Sequence, residues 1–242
     1  MSIASEITRL QGVKADILTA IGNKGVIVPA GSALDDCPGL IADITISENG
    51  SVKIGDLWYR TVKIGSQIWL GENLEYRDNN IALNPTGTPT ESSCWDYRID
   101  SNEYGHFGKK WSYLYNSAAL EYLITNKDTI FPGWHVPTLT EWNELFNFAG
   151  GAVTIAGKML KSSATWNAYG GTDDYGMTIL PSGYRATDGG FDGGNRFAYY
   201  WSSSKQQDVE YIDILFPSDA DRIWTGYLDD KVGASIRLVK DT

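Results

Sequence analysis

Apolar side chains at the start of the chain recur in a four–three rhythm. Ile3, Ile7, Leu10, Lys14, Ile17 and Ile21 are spaced 4-3-4-3-4. That is the a/d spacing of a coiled coil and predicts a helix, ended by Gly22 and Gly25. Val26-Ile27-Val28-Pro29 then reads as extended, and a second short helix is predicted over residues 35–44. Helices this short are marginal alone in water, so the apolar stripe needs a partner. Lys14 interrupts the stripe, which leaves self-association and packing onto the rest of the chain both open.

The pattern changes after the polar, turn-rich stretch Ser47-Glu48-Asn49-Gly50-Ser51. Residues 57–62 and 67–70 are β-prone and join near Gly65-Ser66, a predicted hairpin. Residues 77–110 look like loop, and residues 114–123 like helix. Gly133-Trp134-His135-Val136-Pro137-Thr138-Leu139-Thr140-Glu141-Trp142 opens another helix. Thr138 and Glu141 have the spacing of a capping box. Trp142, Leu145, Phe146 and Ala149 follow at helical spacing, and Gly150-Gly151 ends the run. From Asp173 onward short strands alternate with glycine-rich connections. Tyr211, Asp213 and Leu215 alternate with Ile212, Ile214 and Phe216, a strand with two distinct faces. A last strand is predicted over residues 234–239. The expected class is α+β, with helices packed on short antiparallel sheets, loop-rich, behind a short helical N-terminal module. The expected division is 1–46 and 47–242.

Composition sharpens that division. Residues 1–57 hold no aromatic side chain, and all 30 lie between Trp58 and Tyr227. The formal charge of −10 argues against nucleic acid and against an anionic membrane surface. No apolar run approaches a membrane span. The first residues lack the pattern of a secretory signal, so the chain is expected to stay in the cytoplasm unless it leaves by another route such as lysis. Cys37 and Cys94 fall in different modules and read as free thiols.

Candidate catalytic chemistry is sparse. His135 and Glu141 are six residues apart, across a proline and a cap. They lack the i, i+4 geometry of a helical zinc site, and read as a hydrogen-bonded histidine and a capping glutamate. His106 is a lone loop histidine. Asp173-Asp174, Asp219 with Asp221, and Asp229-Asp230 are acidic, but without the spacing of a calcium loop. No cofactor is expected; a structural calcium at these pairs is the open alternative.

Binding is the stronger case. Residues 188–200 and 205–227 mix aromatic side chains (Phe191, Phe197, Tyr199, Tyr211, Trp224, Tyr227) with polar ones. The polar set is Asp192, Asn195 and Arg196, then Gln206, Asp208 and Asp213, then Asp219, Asp221 and Arg222. Aromatic area with polar neighbours is the makeup of recognition surfaces. Some of these aromatics belong to the core: Trp201 and Phe216 are assigned there, and Tyr211 and Trp224 are evenly balanced.

Seven ordered blocks carry a family resemblance. They are Tyr59-Arg60-Thr61-Val62-Lys63-Ile64-Gly65 with Gln67-Ile68-Trp69 and Glu72-Asn73-Leu74; Leu114-Tyr115-Asn116 with Ala118-Ala119; and the Gly133–Trp142 stretch. Then come Gly171-Thr172-Asp173-Asp174-Tyr175-Gly176, Leu180-Pro181-Ser182-Gly183-Tyr184-Arg185, Tyr200-Trp201-Ser202-Ser203-Ser204 and Ser235-Ile236-Arg237-Leu238-Val239-Lys240-Asp241. In this order they resemble the Fibrobacter succinogenes major paralogous domain. The resemblance implies a C-type-lectin-like fold, in the branch shared with formylglycine-generating enzymes. It also implies a ligand-binding domain displayed outside the cell. In related retroelement-diversified proteins the stretch singled out above is the variable region. Many members carry a cysteine before the Gly-Trp-His block and another in the terminal block, which implies a disulfide. Here those places hold Phe131 and Leu238.

The segment Met1-Ser2-Ile3-Ala4-Ser5-Glu6-Ile7 to Lys14-Ala15-Asp16-Ile17, with Gly25-Val26 and Val28-Pro29, resembles the start of phage tail-fibre proteins. Together the resemblances imply a phage tail-associated receptor-binding protein located in the virion, without enzymatic activity. Its partners would be a host surface protein or glycan and, through residues 1–46, other tail proteins. A homo-oligomer is expected, a trimer first. The alternatives are a bacterial adhesin and, disfavoured by the cysteine count, an enzyme of the formylglycine-generating branch.

Overall fold

The structure is a computed structural model that describes Gln11, Lys14 and residues 50–98, 110–163, 165–167, 170–207 and 209–241. The chain divides into two compact units, Met1–Gly50 and Ser51–Thr242. Within the first only Gln11, Lys14 and Gly50 are described, so the heptad stripe, the second short helix and Cys37 lie outside the described residues.

The second unit is built from three sheets. In the first, β1 (Ser51–Ile54), β2 (Leu57–Ile64) and β3 (Gln67–Leu70) form a meander, continued by β13 (Val239–Lys240) and β7 (Trp134–His135). The predicted hairpin is the β2–β3 pair, with Ile64 opposite Gln67. Its two-residue loop needs positive φ, which Gly65 supplies at +61°. The second sheet has the order β12 (Trp224–Tyr227), β11 (Glu210–Pro217), β10 (Phe197–Gln206), β8 (Ser182–Arg185), β9 (Phe191–Gly194). The third joins β4 (Ala82–Leu83), β5 (Ser93–Arg98) and β6 (Lys110–Tyr115).

Among the described residues 37 % are strand and 17 % helix. The fold is therefore mostly β, with short helices α1 (Ser117–Thr125), α2 (Lys127–Ile130), α3 (Leu139–Phe148) and α4 (Ala156–Leu160). This corrects the expected class, a C-type-lectin-like α+β domain with helices packed on short sheets behind a helical N-terminal module. Two local errors fed that expectation. Residues 93–98, taken as loop, are a strand; Ser93, Cys94 and Trp95 are all buried, so no alternation marks them. Leu114 and Tyr115, taken as the start of a helix, end β6, and α1 begins after the Asn116 cap. The last predicted strand is also shorter: Ala234 and Ser235 make only isolated bridges.

α3 follows its sequence closely. Thr138 Oγ1 accepts from Glu141 N–H, and the Glu141 carboxylate accepts from Thr138 N–H, the reciprocal capping box. Trp142 is wholly buried, 4.8 Å from Trp69 and 5.7 Å from Phe146 between ring centroids. It anchors one core cluster with Tyr200, Ile214 and Phe216. A second cluster gathers Leu70, Leu120, Trp201 and Ile236, and both Phe131 and Leu238 are buried in it. The positions where the resemblance places cysteines are thus filled by apolar packing. Cys94 is buried in the same cluster.

Candidate ligand-binding surface

Strand register assembles the surface. Tyr199 of β10 lies opposite Leu215 of β11, and Leu215 opposite Trp224 of β12. One step along, Trp201 lies opposite Asp213, and Asp213 opposite Gly226. Directly paired residues share a face, so these are two adjacent rows on one side of the sheet. On the other side Ala198, Tyr200, Ile214 and Phe216 are buried in the core.

The two-faced pattern has unequal faces. Toward β6 and α1 the open side is covered: Trp201 is wholly buried and its indole N–H donates to Tyr115 O at 2.6 Å. Tyr211 is also covered; its hydroxyl donates to the Glu121 carboxylate, which also receives Lys205 Nζ at 3.0 Å. Away from that end the face opens. Tyr199, Leu215, Phe197 and Tyr184 are half-buried, and Trp224 is 46 % exposed. Tyr184 meets Tyr199 edge-on at 5.1 Å, and Phe197 lies 6.2 Å from Tyr199. At the rim the Arg196 guanidinium sits over Phe197 at 5.5 Å and is paired to Asp192 at 3.0 Å. Arg222 sits over Trp224 at 5.1 Å.

Asp213 lies at the base of this face, 3 % exposed. Burial pushes its carboxyl up to about 6, opposed only by a hydrogen bond from its own backbone N–H. Burial likewise raises the Tyr199 phenol, with the Asp213 charge adding to the rise.

The structure thus brings together Asp192, Arg196, Phe197, Tyr199, Asp213, Arg222 and Trp224 among the residues singled out from sequence. It separates the others. Asn195 is buried in the β9–β10 turn at φ +62°, where its backbone bonds Pro181 and Asn167. Asp219 and Asp221 flank a loop whose Pro217 and Ala220 carbonyls accept from the buried Lys161 ammonium at 3.2 and 3.0 Å. Burial lowers the Lys161 pKa, and these two aspartates oppose the shift. Gln206 is exposed on the covered side of the bulge, and Tyr227 pairs with Ile212 at the sheet margin. Phe191 is exposed on β9, and Asp208 and His106 lie outside the described residues. Sequence reasoning missed Tyr184, Leu215 and Gly226 as members of the face. The alternation of residues 211–216 held the signal for Leu215; Tyr184 and Gly226 join only through pairing between strands.

His135 is a structural residue. Its Nδ1 lies 2.5 Å from Asp241 Oδ1 and its Nε2 2.7 Å from Glu141 Oε1. The Glu141 hydrogen bond comes first among the causes that raise its pKa. The imidazolium so favoured ties the chain end to the α3 cap. Among the described residues no group of three or more His, Cys, Asp or Glu is placed to hold a metal ion. Asp173 instead accepts from Thr178 N–H and Oγ1, closing a turn.

Residues 62–240, which include the whole face, match the family model of the Fibrobacter succinogenes major domain. The chain belongs to this family. No curated protein and no solved structure matches it. In this Fibrobacter succinogenes major domain the terminal block serves the interior. Arg237 is wholly buried and donates to Leu70 O, Met177 O and Asn73 Oδ1 at 2.7–3.0 Å. It therefore ties β3 to the loop before β8. The block that contains β8 ends on Arg185, whose guanidinium stacks on Trp95 at 4.0 Å. The family blocks thus build the scaffold, while Asp192, Arg196, Phe197 and Trp224 fall between them.

Proposed function

We propose that the chain is a host-adhesion protein of a phage tail. Residues 51–242 present the open β8–β10–β11–β12 face to a partner on the host surface, and residues 1–46 join other tail proteins. One observation supports the binding role above the rest. The face keeps Trp224 exposed and Tyr199, Phe197 and Leu215 partly open beside the exposed Arg196 and Arg222, while its reverse side is buried core. Aromatic side chains that are partly or fully open in contiguous rows, edged by charged groups, are the makeup of a recognition surface. The tail assignment draws on the resemblance of residues 1–46 to tail-fibre proteins. Binding by this family member needs no chemistry and no cofactor. The expected partner surface, homo-oligomer and virion location follow from the same reading.

One deletion tests the two parts of this reading separately. Deleting residues 1–46 should abolish incorporation into virions while the remaining domain still attaches to host cells. Normal incorporation of the truncated chain would remove the tail assignment and leave the binding one standing.

A further inference from the structure

The base of the open face holds an ionisable group with no countercharge among the described residues. Asp213 is 3 % exposed, and no side chain among the described residues bonds its carboxylate. A buried carboxylate is ordinarily paired with a cation or met by several donors. Here the cross-strand neighbour on the open side is Gly226, which offers neither. A Cβ at position 226 would stand 3.1 Å from Asp213 Oδ1. The absent side chain is what leaves the carboxylate reachable from the face. The adjoining row, Tyr199, Leu215 and Trp224, is apolar and partly open.

We propose that Asp213, reached over Gly226, is a subsite for the ammonium group of a lysine side chain on the partner protein. This rests on the reading of the face as the binding surface. A lysine has the two parts the site complements: an apolar four-carbon stem and a compact charge at its tip. The stem lies along Tyr199, Leu215 and Trp224, and the Tyr199 and Trp224 rings also attract a cation. The ammonium meets the carboxylate, whose desolvation strengthens the pairing. The formal charge of −10 on the whole chain adds a favourable field for a cationic partner.

The test uses the full chain and nitrogen–proton correlation spectra. n-Butylammonium stands in for the lysine side chain, N-butylacetamide for its neutral counterpart, and methyl galactoside for a glycan. The expected result is a saturable shift of the Gly226 amide and the Trp224 indole with n-butylammonium alone. Asp213→Asn and Gly226→Ala should each weaken that binding at least tenfold, with the melting temperature raised in the first and retained in the second. Equal response to the neutral amide, no response to the ammonium, or unchanged binding in Asp213→Asn would overturn the proposal. So would a galactoside response that needs Asp213. Cell attachment separates this subsite from the face itself. Loss in Asp213→Asn as well as in Trp224→Ala supports it. Loss in Trp224→Ala alone overturns the subsite and keeps the face; retention in both removes the two together.

Discussion

Asp213 is held in a position that weakens the fold. Its folded pKa of about 6 lies above the ordinary 3.8, so the folded state favours the proton and stability falls as pH rises between those values. Above about pH 6 the full penalty is present. Asp213→Asn is therefore expected to raise stability by about 1–3 kcal/mol at neutral pH, with the gain vanishing toward about pH 4. Urea unfolding across that range checks it; a variant that is less stable at neutral pH would contradict it. His135 works the other way. Its pKa is raised above 6.5, so its contribution is whole below 6.5 and is lost as pH rises through the folded value. Glu141 is lowered from 4.5 to about 2 by His135 and Thr138, against the opposing effect of its burial. Its contribution is present above 4.5 and lost as pH falls toward about 2. The clip between the chain end and α3 is thus complete between 4.5 and 6.5. His135→Gln should remove about 1 kcal/mol in that window and flatten the fall above it, measured as melting temperature against pH.

At the scale of elements, α3 shows what local sequence can specify. Thr138 and Glu141 act on each other within one turn of the chain, and the predicted cap is the observed one. Thr138→Ala is expected to cost about 1 kcal/mol. Trp142→Ala, which empties the ring cluster with Trp69, Phe146 and Tyr200, should cost about 3–5 kcal/mol. Chemical denaturation of the two variants distinguishes cap from core, and equal losses would contradict this ranking. The β2–β3 hairpin was legible for the same reason, a glycine at a two-residue loop. β5 was not, because Cys94 and Trp95 are buried together and leave no period-two pattern. The open face was legible in part. Alternation over residues 211–216 separated two sides of β11, but not which end of a side is covered. That depends on Glu121 of α1, ninety residues away in sequence from Tyr211, whose hydroxyl it accepts. Tyr211 thus belongs to the scaffold and Trp224 to the surface, a distinction that composition left even.

For the molecule as a whole, the family blocks and the proposed function occupy different residues except at Tyr184, which belongs to both. Arg237, Trp142 and Trp201 are buried and join sheets and helices, whereas Phe197 and Trp224 lie on the outside of the second sheet. This division permits the surface to change while the scaffold stays, because substitutions at exposed positions away from packed contacts usually alter stability little. The central claim is that the open face binds the host. It is tested by equilibrium attachment of the full chain carrying Tyr199→Ala and Trp224→Ala, beside a control with Val153→Ser. Val153 is 78 % exposed and lies outside this sheet. The account predicts at least a tenfold loss of attachment for the double variant, the scale expected when aromatic anchors are removed. It also predicts wild-type attachment for the control, with both proteins folded. Wild-type attachment by a folded double variant would contradict it.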